Sequence, residues 1–352
     1  MPGDRGATGP AASVLPAPYG TVLKPYGRAL TGLARSRPDI VCLSGDLTRQ
    51  CEIDLFQAEF PDRFIHAGMA EANMIGVAGA LARSGLIPFV HTFGVFATRR
   101  PLDQIVNAVA YPGLPVRIVG FMPGVSSPGG PSHQAIEDVA LMRALPGMTV
   151  LDVADATETA QAVAAIADLP GPAYLRLKRG EIPVIFPADH PFSLTRAQLL
   201  GDEPAAGGTG AALVASGMMV APALAAASVL RGSGVRVTVL NVPVIKPLDT
   251  ATVLAAAAGA QVVITAENHS VIGGLGSAVA EAMAEAGLGR PLRRIGLADT
   301  FADGALSAPY LFARYGLTTQ HVIDAAWAGL SQPGPPPRAP SPALRPGDYA
   351  PV

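Results

Sequence analysis

The chain reads as an α/β protein built from two doubly wound domains, each a parallel sheet with helices on both faces. Three observations predict this. Short apolar runs alternate with longer helical patterns, which is the rhythm of strand–helix–strand crossovers. The strand runs, such as Ile40-Val41-Cys42-Leu43-Ser44, are almost wholly apolar, as strands covered on both sides must be. The pattern also breaks once, over 182–208, where Pro, Asp, Gly and Thr dominate, and then restarts. With 352 residues, 49% of them hydrophobic and 15% charged, two domains with well-covered interiors are the expected division.

Residues 1–18 are rich in Gly, Pro and Ala and are expected to be flexible. The first domain, 19–185, opens with a helical pattern from Tyr26 to Arg35 and the strand Ile40–Ser44, ending at Gly45-Asp46. Strand Phe64-Ile65-His66 feeds a helix that starts near Ala70. Its small residues (Gly76, Ala78, Gly79, Ala80) leave it narrow enough for another element to approach closely. Strand Ile87–Thr92 leads to a turn, Phe93-Gly94-Val95-Phe96, and then a helix from Leu102 to Val109. After strand Val116–Phe121 comes a Gly, Ser and Pro loop through Gly130. Ser132 is the expected N-cap of the helix holding Ile136, Val139 and Ala140. Strand Thr149–Val153, helix Glu158–Ile166 and strand Ala173–Leu177 close the domain.

Residues 186–208 read as a linker. The second, smaller domain, 209–331, alternates strands at Ala211–Ala215, Val235–Leu240, Val262–Thr265 and Leu292–Gly296 with helices. The helices run from Ala221 to Leu230, from Thr250 to Ala258, from Gly273-Gly274-Leu275-Gly276-Ser277 to Ala286, and from Thr319 to Leu330. The Pro-rich tail, 332–352, lacks the apolar content of a core and is expected to be disordered.

A formal net charge of −2 gives no reason to expect nucleic acid or an anionic membrane as partner. The uncharged stretch Pro204–Leu230 raises a membrane question. Gly217 and Pro222 break it, and it splits into a strand and a helix. Two cysteines, Cys42 and Cys51, cannot form a disulfide framework, and Met1-Pro2-Gly3-Asp4-Arg5 lacks the features of a signal peptide. A cytoplasmic protein is the expectation. No histidine spacing suggests metal ligands, so no metal site is assigned to this chain.

Glu71 stands out as the sole Asp, Glu, Lys or Arg between Arg63 and Arg83. A lone acid in so apolar a setting is expensive to bury without a partner. Its plain reading is a helix-start carboxylate favoured by the helix dipole. The surrounding landmarks alter that reading. They run in order as Pro38-Asp39-Ile40 to Gly45-Asp46-Leu47-Thr48, Phe60-Pro61-Asp62-Arg63-Phe64, Met69-Ala70-Glu71, and Thr92-Phe93 with Phe96. Gly130-Pro131-Ser132-His133-Gln134, Ile245-Lys246-Pro247-Leu248-Asp249 and Glu267-Asn268-His269 before Gly273-Gly274-Leu275-Gly276 complete the series. On these residues the chain resembles the transketolase family from about Tyr19 to Leu330. The matching parts are its thiamine-diphosphate pyrimidine-binding domain and its C-terminal domain.

The resemblance implies thiamine diphosphate as cofactor. It assigns Glu71 to the pyrimidine N1′, where proton exchange favours the imino form of the ring. It likewise assigns Phe93 and Phe96 to the walls around that ring, and Asp46 and Leu47 to the cofactor's middle. His133 corresponds to a catalytic, substrate-facing histidine. The family's Gly-Asp-Gly motif is not found: Gly45-Asp46 is followed by Leu47, and the pairs Gly3-Asp4, Gly201-Asp202 and Gly347-Asp348 lie in loose segments. The diphosphate and Mg2+ are therefore expected on an N-terminal (alpha) partner subunit. The family's architecture then implies an alpha2beta2 heterotetramer, whose β–β contacts involve the C-terminal domains and the Glu71 helix.

Several positions depart from the sugar-phosphate pattern. Asp152 stands where a phosphate-gripping arginine is expected, Leu23 where a second is, and Gln50 near a phosphate-binding serine. Phe121 replaces a histidine, Pro128 and Gly129 replace an acid, and Arg99 replaces a third aromatic. A carboxylate at Asp152 would repel a phosphate, so the expected activity is ketol transfer between a ketose donor and an acceptor with non-standard substrates. A 2-oxoacid dehydrogenase β subunit or a deoxyxylulose-phosphate synthase-like enzyme is the alternative. The His133 loop argues against the first, and the split architecture against the second. A non-catalytic assembly subunit is a further alternative, opposed by Glu71 and Phe93.

Overall fold

A computed structural model describes residues 19–201, 208–304 and 307–340. The expectations for 1–18, for 202–207 of the linker and for 341–352 of the tail lie outside these residues.

In chain order the strands are β1 (Thr21–Leu23), β2 (Ile40–Ser44), β3 (Phe64–His66), β4 (Ile87–Phe93), β5 (Arg117–Phe121), β6 (Thr149–Asp152) and β7 (Ala173–Leu177). They continue as β8 (Glu181–Pro183), β9 (Gln198–Gly201), β10 (Ala211–Ala215), β11 (Val237–Asn241), β12 (Val244–Lys246), β13 (Val262–Ser270) and β14 (Leu292–Leu297). The first sheet has the order β12-β6-β7-β5-β4-β2-β3, and every pair except β12 with β6 is parallel. The second has the order β14-β13-β10-β11-β9, parallel except for β9. Buried side chains line both faces of each sheet, which is why β2, β5, β7, β10 and β11 are buried along their whole length. Two doubly wound domains are what is found.

The chain order within the first sheet matters for function. From β2 the chain crosses to the edge strand β3, then returns to β4 on the other side of β2. That reversal opens a crevice beyond the carboxyl ends of β2 and β4, the usual ligand position in such sheets.

Several expectations need correction. The 182–208 connection is not featureless: β8 pairs with β1, and β9 adds an antiparallel edge to the second sheet. Phe93–Phe96 is not a turn, because Gly94–Thr98 is helical. Leu102–Val109 is not one regular helix. After Leu102–Gln104 the chain widens into π-helical turns over Ile105–Ala110, with the Tyr111 N–H donating to the Val106 carbonyl. The close approach expected of the small-residue helix occurs here, where Gly79 of the helix Glu71–Arg83 lies against the Ala108 carbonyl and leaves no room for a Cβ. Ser132 caps no helix. The helix it was expected to start begins at Asp138, and its hydroxyl pairs instead with Nδ1 of His133 at 2.9 Å. The described part of the tail is also not loose. Trp327 Nε1–H donates to the Gly334 carbonyl, and Gln320 bonds both Pro337 O and the Ala339 N–H, so 334–339 is strapped to the last helix.

The domains share more than a linker. Strand β12 comes from the second domain's sequence yet closes the edge of the first sheet, and Lys246 Nζ donates to the carbonyls of Arg143 and Leu145. At the junction Arg176 is 1% exposed. Its guanidinium holds both oxygens of Asp138 (2.8 and 3.0 Å), Asp152 Oδ2 (3.0 Å) and the Asn268 carbonyl (3.0 Å). Burial alone would push the Asp138 carboxyl up, but Arg176 beside it holds it below its ordinary value. Breaking such a buried pair leaves uncompensated charge. Arg176→Ala is expected to lower stability by about 3–5 kcal/mol in urea unfolding.

His91 gives a pH test. It is fully buried on β4, with Nε2 2.6 Å from the Tyr26 hydroxyl and Nδ1 3.0 Å from the Leu43 carbonyl, and burial pulls its pKa down from 6.5 to about 4. The unfolded chain therefore binds a proton that the native chain refuses. The contribution is present above pH 6.5 and is lost as pH falls towards 4. Glu52, Glu158 and Glu267, raised by burial to about 7, bias the whole-protein profile the other way. The difference is therefore read against His91→Gln. Relative to that variant, the wild-type urea midpoint is expected to fall between pH 6.5 and 4.

Candidate active site

The side chains singled out by sequence come from the carboxyl ends of neighbouring strands. Asp46 and Leu47 follow β2, Glu71 follows β3, Phe93 ends β4, and His133 sits in the long loop after β5. The tight connection from β3 through Gly68, whose φ of 69° favours glycine, delivers Glu71 directly to a helix start. The helix Gly94–Thr98 after β4 then turns Phe96 back beside Phe93.

Glu71 is 3% exposed. Its Oε1 accepts from Nη1 of Arg100 at 2.8 Å, and the same guanidinium lies 4.1 Å from the centre of the Phe96 ring. Phe96 is stacked with Phe93, with centroids 6.2 Å apart and an 18° interplanar angle. It also meets His133 edge-on at 5.3 Å. Glu71, Phe96, Phe93 and His133 are thus brought together, with Arg100 as the link. Arg100 is the residue that sequence reasoning missed, although the cost of burying a lone acid was a sign that such a cation had to exist. The arrangement also tests the fit of the implied cofactor. A flat, N–H-bearing cation already sits between the acid and an aromatic face, so the residues present would fit a planar ring that donates to the carboxylate.

Asp46 and Leu47 are less closely tied to this group. Asp46, at φ 70°, has Oδ1 3.2 Å from His66 Nε2, both side chains half-exposed, and Leu47 packs on the core beneath β2. The remaining histidines have structural partners. His190 stacks on Phe186 at 4.0 Å and bonds Gln198, and His321 pairs with the cap residue Thr318. His269 is buried at the domain junction, with Nδ1 2.7 Å from the Ser270 carbonyl and Nε2 3.4 Å from the Ala140 N–H. Burial lowers its pKa to about 4 and keeps it neutral. Among the described residues no cluster of three or more metal-ligating side chains forms, and no helix is long and apolar enough to cross a membrane.

The substrate argument built on Asp152 does not survive. Asp152 is buried, bonded to Arg176 and to the Ser216 hydroxyl at 2.9 Å, and it fastens the second domain instead of facing a ligand. Phe121 is likewise buried, edge-on to Tyr26. Leu23 lies exposed on the small β1–β8 sheet. Arg99, which stands in the sequence where a third aromatic is expected, turns towards the His133 loop and pairs with Glu137.

The Arg100–Glu71 pair is half open to water on the arginine side, where the side chain is 50% exposed. Arg100→Ala is expected to cost about 1.5–3 kcal/mol, the range of a hydrogen bond to a charged group. Much of that is the penalty of an orphaned carboxylate. The Glu71→Ala/Arg100→Ala double variant should therefore regain most of the loss in a double-mutant cycle.

The transketolase pyrimidine-binding domain model matches residues 21–184, and the transketolase C-terminal domain model matches residues 204–322. Over 302 residues the chain is 42% identical to the 6-deoxy-6-sulfo-D-fructose transketolase subunit of Clostridium sp., covering 86% of this chain and 92% of that one. Over 305 residues it is 33% identical to an apulose-4-phosphate transketolase subunit of Phocaeicola vulgatus, covering 86% and 95%. A solved structure of a split-gene transketolase, an inactive beta4 tetramer, is similar with a TM-score of 0.79 and 40% identity over 88% of this chain and 97% of that one.

Proposed function

Because this chain belongs to the transketolase family, we propose that it is the beta subunit of a two-component transketolase. In this reading it is a transferase moving a two-carbon ketol unit from a ketose donor to an acceptor. The observation that carries the reading is the buried Glu71 carboxylate facing a flat cation against Phe96. Two relatives of similar length are transketolase subunits by name.

When bound, thiamine diphosphate supplies the carbanion chemistry at its thiazolium ring. The chain's own residues do the rest. Glu71 would hold a ring N–H of the pyrimidine and exchange a proton there, a task suited to a carboxylate shielded from water. Phe93 and Phe96 would cover the ring faces without competing for that proton. Asp46 and Leu47 would touch the middle of the cofactor. His133 would hydrogen-bond the donor's hydroxyl and carbonyl oxygens, its ring oriented by Ser132 and by the T-shaped contact with Phe96. The diphosphate and Mg2+ would be held by an N-terminal (alpha) subunit, in an alpha2beta2 assembly in the cytoplasm.

Non-standard sugars are the proposed substrates. Asp152 and Phe121, both buried, and Leu23, on the small β1–β8 sheet, no longer support this, but Gln50 still stands near the position where a phosphate-binding serine is expected. Two relatives are named for a sulfosugar and for apulose 4-phosphate. Turnover of xylulose 5-phosphate with ribose 5-phosphate at housekeeping rates would refute the substrate proposal alone. The activity itself is tested by Glu71→Ala in the reconstituted pair. Turnover should fall at least about 100-fold with the fold intact by circular dichroism, whereas unchanged turnover would leave a scaffold role.

A further inference from the structure

We propose that Arg99 is a positioning residue for His133, clamping the loop that presents the imidazole to substrate. The inference rests on the substrate-facing role of His133 given above. His133 lies on a turn whose other members, Pro131 and Ser132, are exposed. The turn's own bonds stay within it: His133 N–H to the Gly130 carbonyl at 2.9 Å, and the Ser132 hydroxyl to the Gly129 carbonyl at 3.4 Å and to His133 Nδ1 at 2.9 Å. Bonds within the turn orient the ring on the turn but do not fix the turn itself against the rest of the crevice.

Arg99 supplies what the turn lacks. Nη1 donates to the Pro131 carbonyl at 2.9 Å and Nη2 to the Gln134 carbonyl at 3.0 Å, so the guanidinium bridges the backbone on both sides of Ser132-His133. Nε and Nη2 also grip the two oxygens of Glu137, Nη2 at 2.8 Å, a bidentate pairing that restricts how the fork can turn. Arg99 is the C-terminal cap residue of the helix Gly94–Thr98, three positions after Phe96. Residues three apart share a helix face, and Phe96 is the ring that meets His133 in a T-shaped contact. One short helix therefore sets both the aromatic wall beside the imidazole and the clamp on its backbone. Gln134 continues the fastening into the second domain, its Nε2 donating to the carbonyls of Ser127 and Asp303, each at 3.1 Å.

The role calls for a fork. Lysine keeps the charge but offers a single ammonium and cannot span both carbonyls and Glu137 with fixed geometry. Misplacement of a reacting group by about 1 Å costs on the order of 100-fold, so the effect should appear in donor turnover and not in cofactor binding.

The test uses the reconstituted pair with wild-type, Arg99→Lys, Arg99→Ala, His133→Ala and Arg99→Ala/His133→Ala chains. Thiamine diphosphate affinity is measured by titration and donor kinetics separately. Arg99→Ala is expected to lower kcat/KM for the donor about 100-fold with cofactor affinity unchanged. Arg99→Lys should recover little of it, and added guanidinium should recover part of the Arg99→Ala loss. The double variant should be no worse than His133→Ala, since a clamp without its imidazole has nothing left to position. Multiplying losses in the double variant, or a wild-type-like Arg99→Lys, would overturn the proposal. If Arg99→Ala fails to fold, the Lys variant and its pairing with His133→Ala give the same decision. A wild-type pair that neither binds the cofactor nor transfers a ketol unit would instead overturn the function itself, a result the wild-type arm reports separately.

Discussion

A guanidinium removed from water has to be surrounded by acceptors, and the whole junction of this molecule is arranged around that requirement at Arg176. Its strand supplies it, the helix start at Asp138 and the end of β6 at Asp152 supply two carboxylates, and the second domain supplies the Asn268 carbonyl. Because these acceptors come from both domains, neither domain can shift without stranding a buried charge. The Asn268 side chain adds to this by taking the Val125 N–H and donating to the Pro123 carbonyl, so the loop leading to His133 is anchored at its base. Gly124, at φ 55°, leaves no room for a Cβ against Asn268.

The second consequence concerns charge economy at the crevice. Glu71 and Arg100 satisfy each other there, and Arg99 is spoken for by Glu137 and two carbonyls. The adjacent arginines point to different work, one across the aromatic ring and the other along the loop. The acid proposed to bind a cofactor ring is thus kept ionically satisfied in the free chain. The satisfying group is itself planar, cationic and half-exposed, which suits the exchange that the proposed function requires.

Asp152 shows how a position matched by sequence order can mislead. Aspartate in place of an expected arginine reads as a statement about substrate charge, yet its side chain turns inward to Arg176 and Ser216. The sequence carried a hint in Arg176 itself, a charged residue in the otherwise apolar strand Ala173-Tyr174-Leu175-Arg176-Leu177. A buried arginine demands carboxylates, and Asp138 and Asp152 were available to meet that demand.

The sequence by itself determined the two α/β domains, nearly all of their sheet strands and the approximate position of the Glu71 helix. Those follow from local apolar patterning, which a chain cannot hide. It also singled out Glu71, Phe93, Phe96 and His133, because residue type and motif order are local properties too. Only the tertiary structure decided that β12 crosses to the first sheet, that Arg100 pairs with Glu71, that Asp152 is structural, and that Arg99 grips the His133 loop. Each of these is a pairing between groups far apart in sequence or on side chains free to turn either way. What decides them is the cost of leaving a charge or an edge strand unpaired, and that cost exists only once the chain has folded.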